Sequence, residues 1–273
     1  MRIVILSLLI SIYYGNLAAQ ETNNSGLKLY TFDCGELTFS EMDLFSTAGD
    51  YAGTTATFSD SCFLIRHKDG DLLWDLGLNV ELIKEGPVQS GITTVSLNKS
   101  LVQQLEEIDL IPDDIEFVSI SHSDYDHVLQ NPSFPNATWI VNEKELSAMK
   151  KDGELAGMYS GFKNMKRIVF NGDYDVFGDG TVMILQTPGH TPGHTVLQVM
   201  LKETGPILLS GDLYHQAKSR ELKRVPRFNY DEAQTRQSFE RFEKIAAELD
   251  AKVIIQHEST DIEALPKLPN YLQ

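Results

Sequence analysis

Short apolar runs, broken by Gly, Pro, Asn and Asp, alternate along the chain with longer stretches of helical period. Residues 27–34 (LKLYTFDC) read as a strand. Residues 61–77 (SCFLIRHKDGDLLWDLG) read as a hairpin turning at Asp69-Gly70. Residues 98–108 set Leu101, Val102, Leu105 and Ile108 on one face, the spacing of an amphipathic helix. Strands follow at 115–120 (IEFVSI) and 137–141 (ATWIV), and Asn142 then reads as the N-cap of a helix running to Met149. The second half has the same style without repeating the sequence: strands at 166–170, 181–187, 194–201, 206–212 and 252–257, with a long helix from Tyr230 to Leu249 burying Phe239, Phe242, Ile245, Ala246 and Leu249. Strands followed by helices in each half predict two sheets packed face to face with helices outside, an α/β (α+β) fold.

The chain has 273 residues, enough for one large domain with a substantial core, and 42% hydrophobic with 23% charged residues is the composition of a globular protein. A net charge of -16 argues against nucleic acid or an anionic membrane surface as partner. The N-terminus changes the picture further. Arg2 precedes an apolar segment from Ile3 to Tyr14, and Leu17-Ala18-Ala19 places small residues before Gln20. This reads as a signal peptide over residues 1–19, leaving one domain over 20–273 that is secreted or periplasmic, without a membrane anchor. Export would permit a disulfide between Cys34 and Cys62, and two buried thiols fit the sequence equally well.

The chemistry concentrates after strand ends. His122, Asp124, Asp126 and His127 fall within the six residues HSDYDH, directly after the strand at 115–120. His190, Asp212 and His257 also follow or end predicted strands, where a rigid scaffold presents functional groups. Four of the seven histidines belong to this group. Imidazole mixed with carboxylate suits zinc, iron, manganese or cobalt better than calcium or magnesium.

These motifs carry a resemblance. HSDYDH, TPGHTPGH (187–194), LLSGDLYH (208–215) and IIQH (254–257) stand in the order and spacing of the metallo-β-lactamase fold, and LLWDLGLN (72–79) is similar to its early Asp-Thr-Gly motif, with Leu76 in place of threonine. LYTFDCGEL, SCFLIRHKDGDLLWDLGL, NPSFPNATWIVNEKE and GPILLSGDLYH make the N-acyl homoserine lactonase group the nearest resemblance, over almost all of residues 27–260. It implies an αββα sandwich with a site for two divalent metals, zinc in the first instance, at one edge between the sheets. His122 and His190 would hold the first metal, Asp126, His127 and His257 the second, and Asp212 would bridge them. The activity implied is opening of the lactone ring by a metal-activated hydroxide. Same-fold hydrolases of organophosphate triesters or other esters and lactones are the alternative, and a degenerate metal-binding protein is a third. The partner is a small lactone or ester, and the sequence is compatible with a monomer or a dimer.

One position departs from the pattern. The family motif is His-x-His-x-Asp-His, and Asp124 stands where its second histidine belongs. With three carboxylates, two divalent ions leave a charge of +1 rather than +2, which leans the site toward manganese or iron. The shorter Asp124 side chain could also fall short of the first metal. The resemblance further implies a substrate-touching tyrosine three residues after the bridging aspartate. That position is His215, with Tyr214 one residue earlier, and either could donate to a developing oxyanion. Asp126, Tyr214 and His215 are therefore the candidate catalytic groups. Asp75 is expected to orient a ligand histidine and His194 to support the site, while His67 is expected on the exposed hairpin.

Overall fold

The computed structural model describes residues 26–151, 157 and 161–273. The signal-peptide reading of residues 1–19 lies outside them. In chain order the elements are β1 (Lys28–Phe39), β2 (Ala56–His67), β3 (Gly70–Trp74), α1 (Leu82–Glu85), β4 (Val88–Ser90), β5 (Thr93–Ser96), α2 (Leu101–Glu106), β6 (Phe117–Ser119), β7 (Thr138–Asn142) and α3 (Glu143–Lys151). There follow β8 (Lys166–Phe170), β9 (Tyr174–Asp175), β10 (Val182–Gln186), β11 (Thr195–Leu201), β12 (Gly205–Leu209), α4 (Ala217–Leu222), α5 (Glu232–Leu249), β13 (Lys252–Ile254) and α6 (Ser259–Glu263). An eight-stranded sheet runs β4-β5-β1-β2-β3-β6-β7-β8, and a five-stranded sheet runs β13-β12-β11-β10-β9.

Strand periodicity divides the core into layers, since successive side chains leave opposite faces of a sheet. Phe63, Ile65, Leu72, Trp74 and Ile140 of the first sheet meet Val182, Ile184, Leu197, Ile207 and Leu209 of the second, forming the interior between them. The alternate residues Leu64, Leu73, Val118, Trp139 and Val141 turn outward, where Leu101 and Leu105 of α2 and Leu146 and Met149 of α3 cover them. On the far side Leu185, Val196 and Leu208 are covered by Phe239, Phe242 and Ala246 of α5. The result is the expected αββα sandwich.

Local rules set the helix ends. Ser100 and Gln103 form a reciprocal capping box at the start of α2, with Ser100 Oγ accepting from Gln103 N at 3.1 Å and Gln103 Oε1 accepting from Ser100 N at 2.9 Å. Asp231 caps α5 by accepting from Gln234 N at 3.0 Å, so that helix begins two residues after the predicted Tyr230. Asn142 Oδ1 accepts from Lys144 N at 2.9 Å at the start of α3.

Several boundaries differ from the sequence expectation. The hairpin turns at Lys68-Asp69, with Gly70 already paired to His67. β12 stops at Leu209, and Gly211–Leu213 form a 3-10 turn, so Asp212 sits past the strand rather than at its end. β13 stops at Ile254, three residues before His257. β4 and β5 went unpredicted because their residues are exposed or half-buried edge positions without an apolar alternation. His67 is not exposed: its side chain is 4% accessible, stacked on Phe177 at 4.0 Å between ring centres, with Nε2 3.0 Å from Asp179. Among the described residues no helix is long and apolar enough to cross a membrane.

Cys34 and Cys62 form a disulfide, fully buried between β1 and β2 at the bulge where the register shifts from Asp33 to Gly35. The bridge closes a loop of 28 residues. Loop-closure entropy for that length contributes about 3–4 kcal/mol. The Cys34→Ala/Cys62→Ala double variant is expected to lose about that much in denaturant unfolding. A loss indistinguishable from zero would show that the unfolded chain gains nothing from the missing cross-link.

Candidate metal centre

The parallel strands β3 and β6 of the first sheet, and β12 and β13 of the second, all finish at one edge of the sandwich, and the loop entering β11 lies there too. This places Asp75 after β3, the HSDYDH segment after β6, His190 before β11, Asp212 after β12 and His257 after β13. Their ligand atoms gather into two groups, each mutually within 4.8 Å: His122, Asp124, His190 and Asp212 in one, Asp126, His127 and His257 in the other. All seven sequence candidates are brought together. All are buried except Asp124, whose side chain is 39% accessible.

Asp212 lies between the groups. Its Oδ2 is 3.5 Å from His122 Nε2 and from His190 Nε2, while Oδ1 is 2.9 Å from His257 Nε2 and 3.3 Å from His127 Nε2. Despite these distances, Asp212 Oδ1 and His122 Nε2 have no hydrogen-bond partner, because the lone pairs converge rather than align. His127 Nε2 and His257 Nε2 face each other at 3.3 Å. Buried polar atoms that converge without satisfying one another fit divalent cations between them. Asp124 does reach: its Oδ2 is 3.3 Å from both His122 Nε2 and His190 Nε2.

The electrostatics agree. Burial raises the Asp212 carboxyl, but His257, His215, His122 and His127 outweigh it and hold it well below the usual range. Partial desolvation likewise opposes the charge on the half-exposed Asp124, and His122 and His190 overcome it and hold that carboxyl low. His257 is pushed down by burial and up by Asp212 and Asp126, ending at about 9. His127 and His190 are raised against burial by Asp75, Asp212 and Asp126 and by Asp124 and Asp212, respectively. Without metal, protons compensate the carboxylates.

A buried shell fixes the ligands. Asp75 accepts from Ser121 N at 2.6 Å and Gln256 Nε2 at 2.8 Å, and its Oδ2 is 3.1 Å from His127 Nδ1. It adopts φ 61° to do so, an unfavourable conformation for a non-glycine residue that persists where surroundings enforce it. His257 Nδ1 is 2.8 Å from Ser59 O. His194 accepts from Asp212 N at 3.0 Å while its Nδ1 meets Thr187, and burial pushes its pKa well down, so it is a neutral support. Glu145 escaped the sequence reading. It is buried on α3 and clamps two ligand loops, accepting from Ser123 N and Oγ at 2.8 and 2.6 Å and from Thr191 Oγ1 and Gly193 N at 2.8 and 2.9 Å. Its one signal was an acidic residue inside the apolar stripe of Leu146 and Met149. Asp60 was also missed. Both its carboxyl oxygens are buried without a partner, and burial, then Asp126, push its pKa far up.

The two candidate donors part company. Tyr214 does not face the centre: its ring stacks on Phe239 at 4.7 Å and its hydroxyl donates to Glu243 at 3.0 Å, because the chain after Asp212 turns it under α5. His215 does face it, with Nε2 3.1 Å from Asp212 Oδ2 and no hydrogen-bond partner. Above it opens a cavity of about 320 Å³, floored by Asp124, Asp126, Asp212, His215 and His257 and walled by Leu37, Phe39, Leu44, Phe45, Phe58, Ile92, Thr93, Tyr125 and Phe228. A more polar cavity of about 490 Å³ lies beside Asp60 and contains none of the ligand histidines.

Four imidazoles and three carboxylates converging at the edge of an αββα sandwich define a metal-dependent hydrolase. The chain belongs to the Metallo-beta-lactamase superfamily, whose family model matches residues 57–257. It is 30% identical over 227 residues to an N-acyl homoserine lactonase AttM of Rhizobium radiobacter, covering 77% of this chain and 85% of the relative. A second AttM lactonase, from Azorhizobium caulinodans, is 26% identical over 263 residues, covering 90% and 98% of the two chains. The fold matches that of an N-acyl homoserine lactone hydrolase solved with N-hexanoyl-L-homoserine at its catalytic metal centre, with TM-score 0.79 and 23% identity over 90% of this chain and 98% of that one. It also matches AidC, a dizinc quorum-quenching lactonase, with TM-score 0.67 and 16% identity over 86% and 88% of the two chains.

Stability should fall with rising pH in the metal-stripped protein and much less in the loaded one. A histidine raised in the folded state stabilises fully below its unfolded pKa of about 6.5 and loses that contribution as pH rises through its folded value. The metal-stripped protein is therefore expected to weaken between pH 6.5 and about 9, by on the order of 3 kcal/mol from His257 alone. Bound metal displaces that proton, so the melting-temperature gap between loaded and stripped protein should widen with rising pH. A gap constant from pH 6 to 9 would remove the proton–metal competition.

Proposed function

We propose that the chain opens the lactone ring of N-acyl homoserine lactones. The observation that carries this reading is the apolar cavity standing directly on the metal-ligand floor. Phe39, Phe45, Phe58 and the aliphatic Leu37, Leu44 and Ile92 suit an acyl chain, while Leu44 and Phe228, 43% and 46% accessible, leave the mouth open for a longer one. The names of the relatives support the same substrate class. Export is part of the proposal, supported by the apolar N-terminal segment and by the Cys34–Cys62 disulfide.

Two divalent ions fit the donor set, held by His122, Asp124 and His190 on one side and Asp126, His127 and His257 on the other, with Asp212 between. When bound they would supply Lewis-acid polarisation of the lactone carbonyl and a water acidified for attack near neutral pH. The protein supplies the rest. The phenylalanine walls exclude water and aim the ester group at the floor. Asp126, at the cavity floor, accepts the proton of the attacking water at its carboxylate and returns it to the ring oxygen as the ring C–O bond breaks. His215 is held neutral by burial, reinforced by His190 and His257, and its Nε2 donates to the oxygen on which charge develops. The new carboxylic acid ionises, releasing one proton per turnover.

A homoserine lactone series of increasing acyl length tests the substrate. kcat/KM should rise with each added methylene until the cavity is filled, at about 0.8 kcal/mol or less apiece. The aromatic walls give a phosphotriester a second claim. A triester turned over faster than every acyl lactone, or no dependence on acyl length, would replace the lactone.

His215→Ala is expected to lower kcat by about 10²-fold, the usual cost of one lost oxyanion donor, with metal content unchanged. His215→Tyr, which restores a donor at that position, should recover part of the loss. Tyr214→Phe should leave kcat and its pH profile as they are. If Tyr214→Phe were the damaging change instead, the donor assignment would be reversed.

A further inference from the structure

Asp124 changes more than one ligand. Around His122 and His190 the structure gathers the terminal carboxylate of Asp124, with Oδ2 3.3 Å from each Nε2, and Asp212 Oδ2, 3.5 Å from each. Around His127 and His257 it gathers the terminal carboxylate of Asp126, with oxygens 4.0 and 3.8 Å from the two Nε2 atoms, and Asp212 Oδ1, 3.3 and 2.9 Å away. Both halves offer the same donors: two imidazole nitrogens, one terminal carboxylate and one oxygen of the shared Asp212. His215 belongs to neither mutually close group.

We infer that Asp124 makes this centre a matched pair of subsites that fills with two like divalent ions and accepts hard ions, manganese(II) or iron(II), in both halves. A histidine at position 124 would make the halves unequal, three imidazoles against two, and favour zinc in the nitrogen-rich half. With aspartate the two terminal charges are equal and the third is shared. Two divalent ions against three carboxylates leave +1, divided evenly between the halves. The oxygen donors suit manganese and iron, which take carboxylate more readily than a nitrogen-rich site does. Zinc still binds, since the general order of affinities places it above manganese at such donors. The difference lies in how far manganese falls behind and in whether it enters both halves. Asp124 is part-exposed at the cavity floor, so exchanging it leaves the buried shell of Asp75, Glu145 and His194 in place.

The inference rests on the metal-centre reading and not on the lactone. Manganese(II) is titrated into the metal-stripped full chain and followed by electron paramagnetic resonance and calorimetry. The expected result is two ions per chain with dissociation constants of the same order, and a spin-coupled pair signal that dominates by two equivalents. Asp124→Ala should bind one manganese with an uncoupled spectrum. Asp124→His should separate the two constants and raise the preference for zinc over manganese in competition. His215→Ala should still bind a coupled pair. A wild-type chain that takes one manganese, or two with constants about a hundredfold apart (about 2.8 kcal/mol), overturns the matched pair. So does an Asp124→Ala protein that keeps the pair signal. Loss of one ion in His215→Ala would make His215 the missing imidazole ligand and overturn it as well. A coupled manganese pair in a protein that opens no lactone would leave this inference standing and remove the substrate.

Discussion

The site depends first on one buried carboxylate that need not touch a metal. Asp75 is fully inaccessible and accepts from the backbone at Ser121, after β6, and from the side chain of Gln256, after β13, while its Oδ2 lies against Nδ1 of His127. These three points belong to the two sheets, so one side chain sets the separation of their edges. Gln256 carries the tie further, accepting from Trp74 Nε1 and Gly211 N. A buried carboxyl group is tolerated only when its lone pairs are used, and here each use fixes a segment that bears or adjoins candidate metal ligands. The left-handed backbone at Asp75 is the local cost of aiming the carboxylate at all of them.

The ligand cluster by itself is an unfavourable assembly. Three carboxylates and four imidazoles share one largely buried edge, and in the metal-free protein they must be held together by protons. The surrounding network keeps them from relaxing apart. Glu145 joins the loop of His122 to the loop of His190, and His194 holds the backbone of Asp212. Pre-organisation of this kind lets bound ions act without first gathering their ligands.

The apolar cavity answers a different demand. It places apolar walls beside the candidate ligand cluster, and in the proposed reaction a bound ester would exclude water there, strengthening every interaction with developing charge. Phe45 and Phe228 pack edge-on against His215, at 5.1 and 5.6 Å between ring centres, so the walls also hold a candidate donor in place. In the proposed reaction the same residues bear on specificity and on catalysis.

The sandwich, most strands and the seven candidate ligands were legible in the sequence because each is announced locally. Strand alternation writes the layers, and the ligands sit in compact motifs at strand ends. HSDYDH even marked its own departure at Asp124. The sequence could not tell whether that shorter side chain reaches. That depended on how close the loop after β6 comes to His190, which the clamp at Glu145 sets. Nor could it choose between Tyr214 and His215, adjacent residues whose roles are divided by a 3-10 turn at Gly211–Leu213 that sends one under α5 and the other into the cavity. Cys34 and Cys62 stood open as thiols or a bridge until the β1–β2 register brought them together. Asp60 and Glu145 gave little or no motif. Their importance is a matter of burial beside charges distant in the chain, a property that exists only once the two sheets have closed.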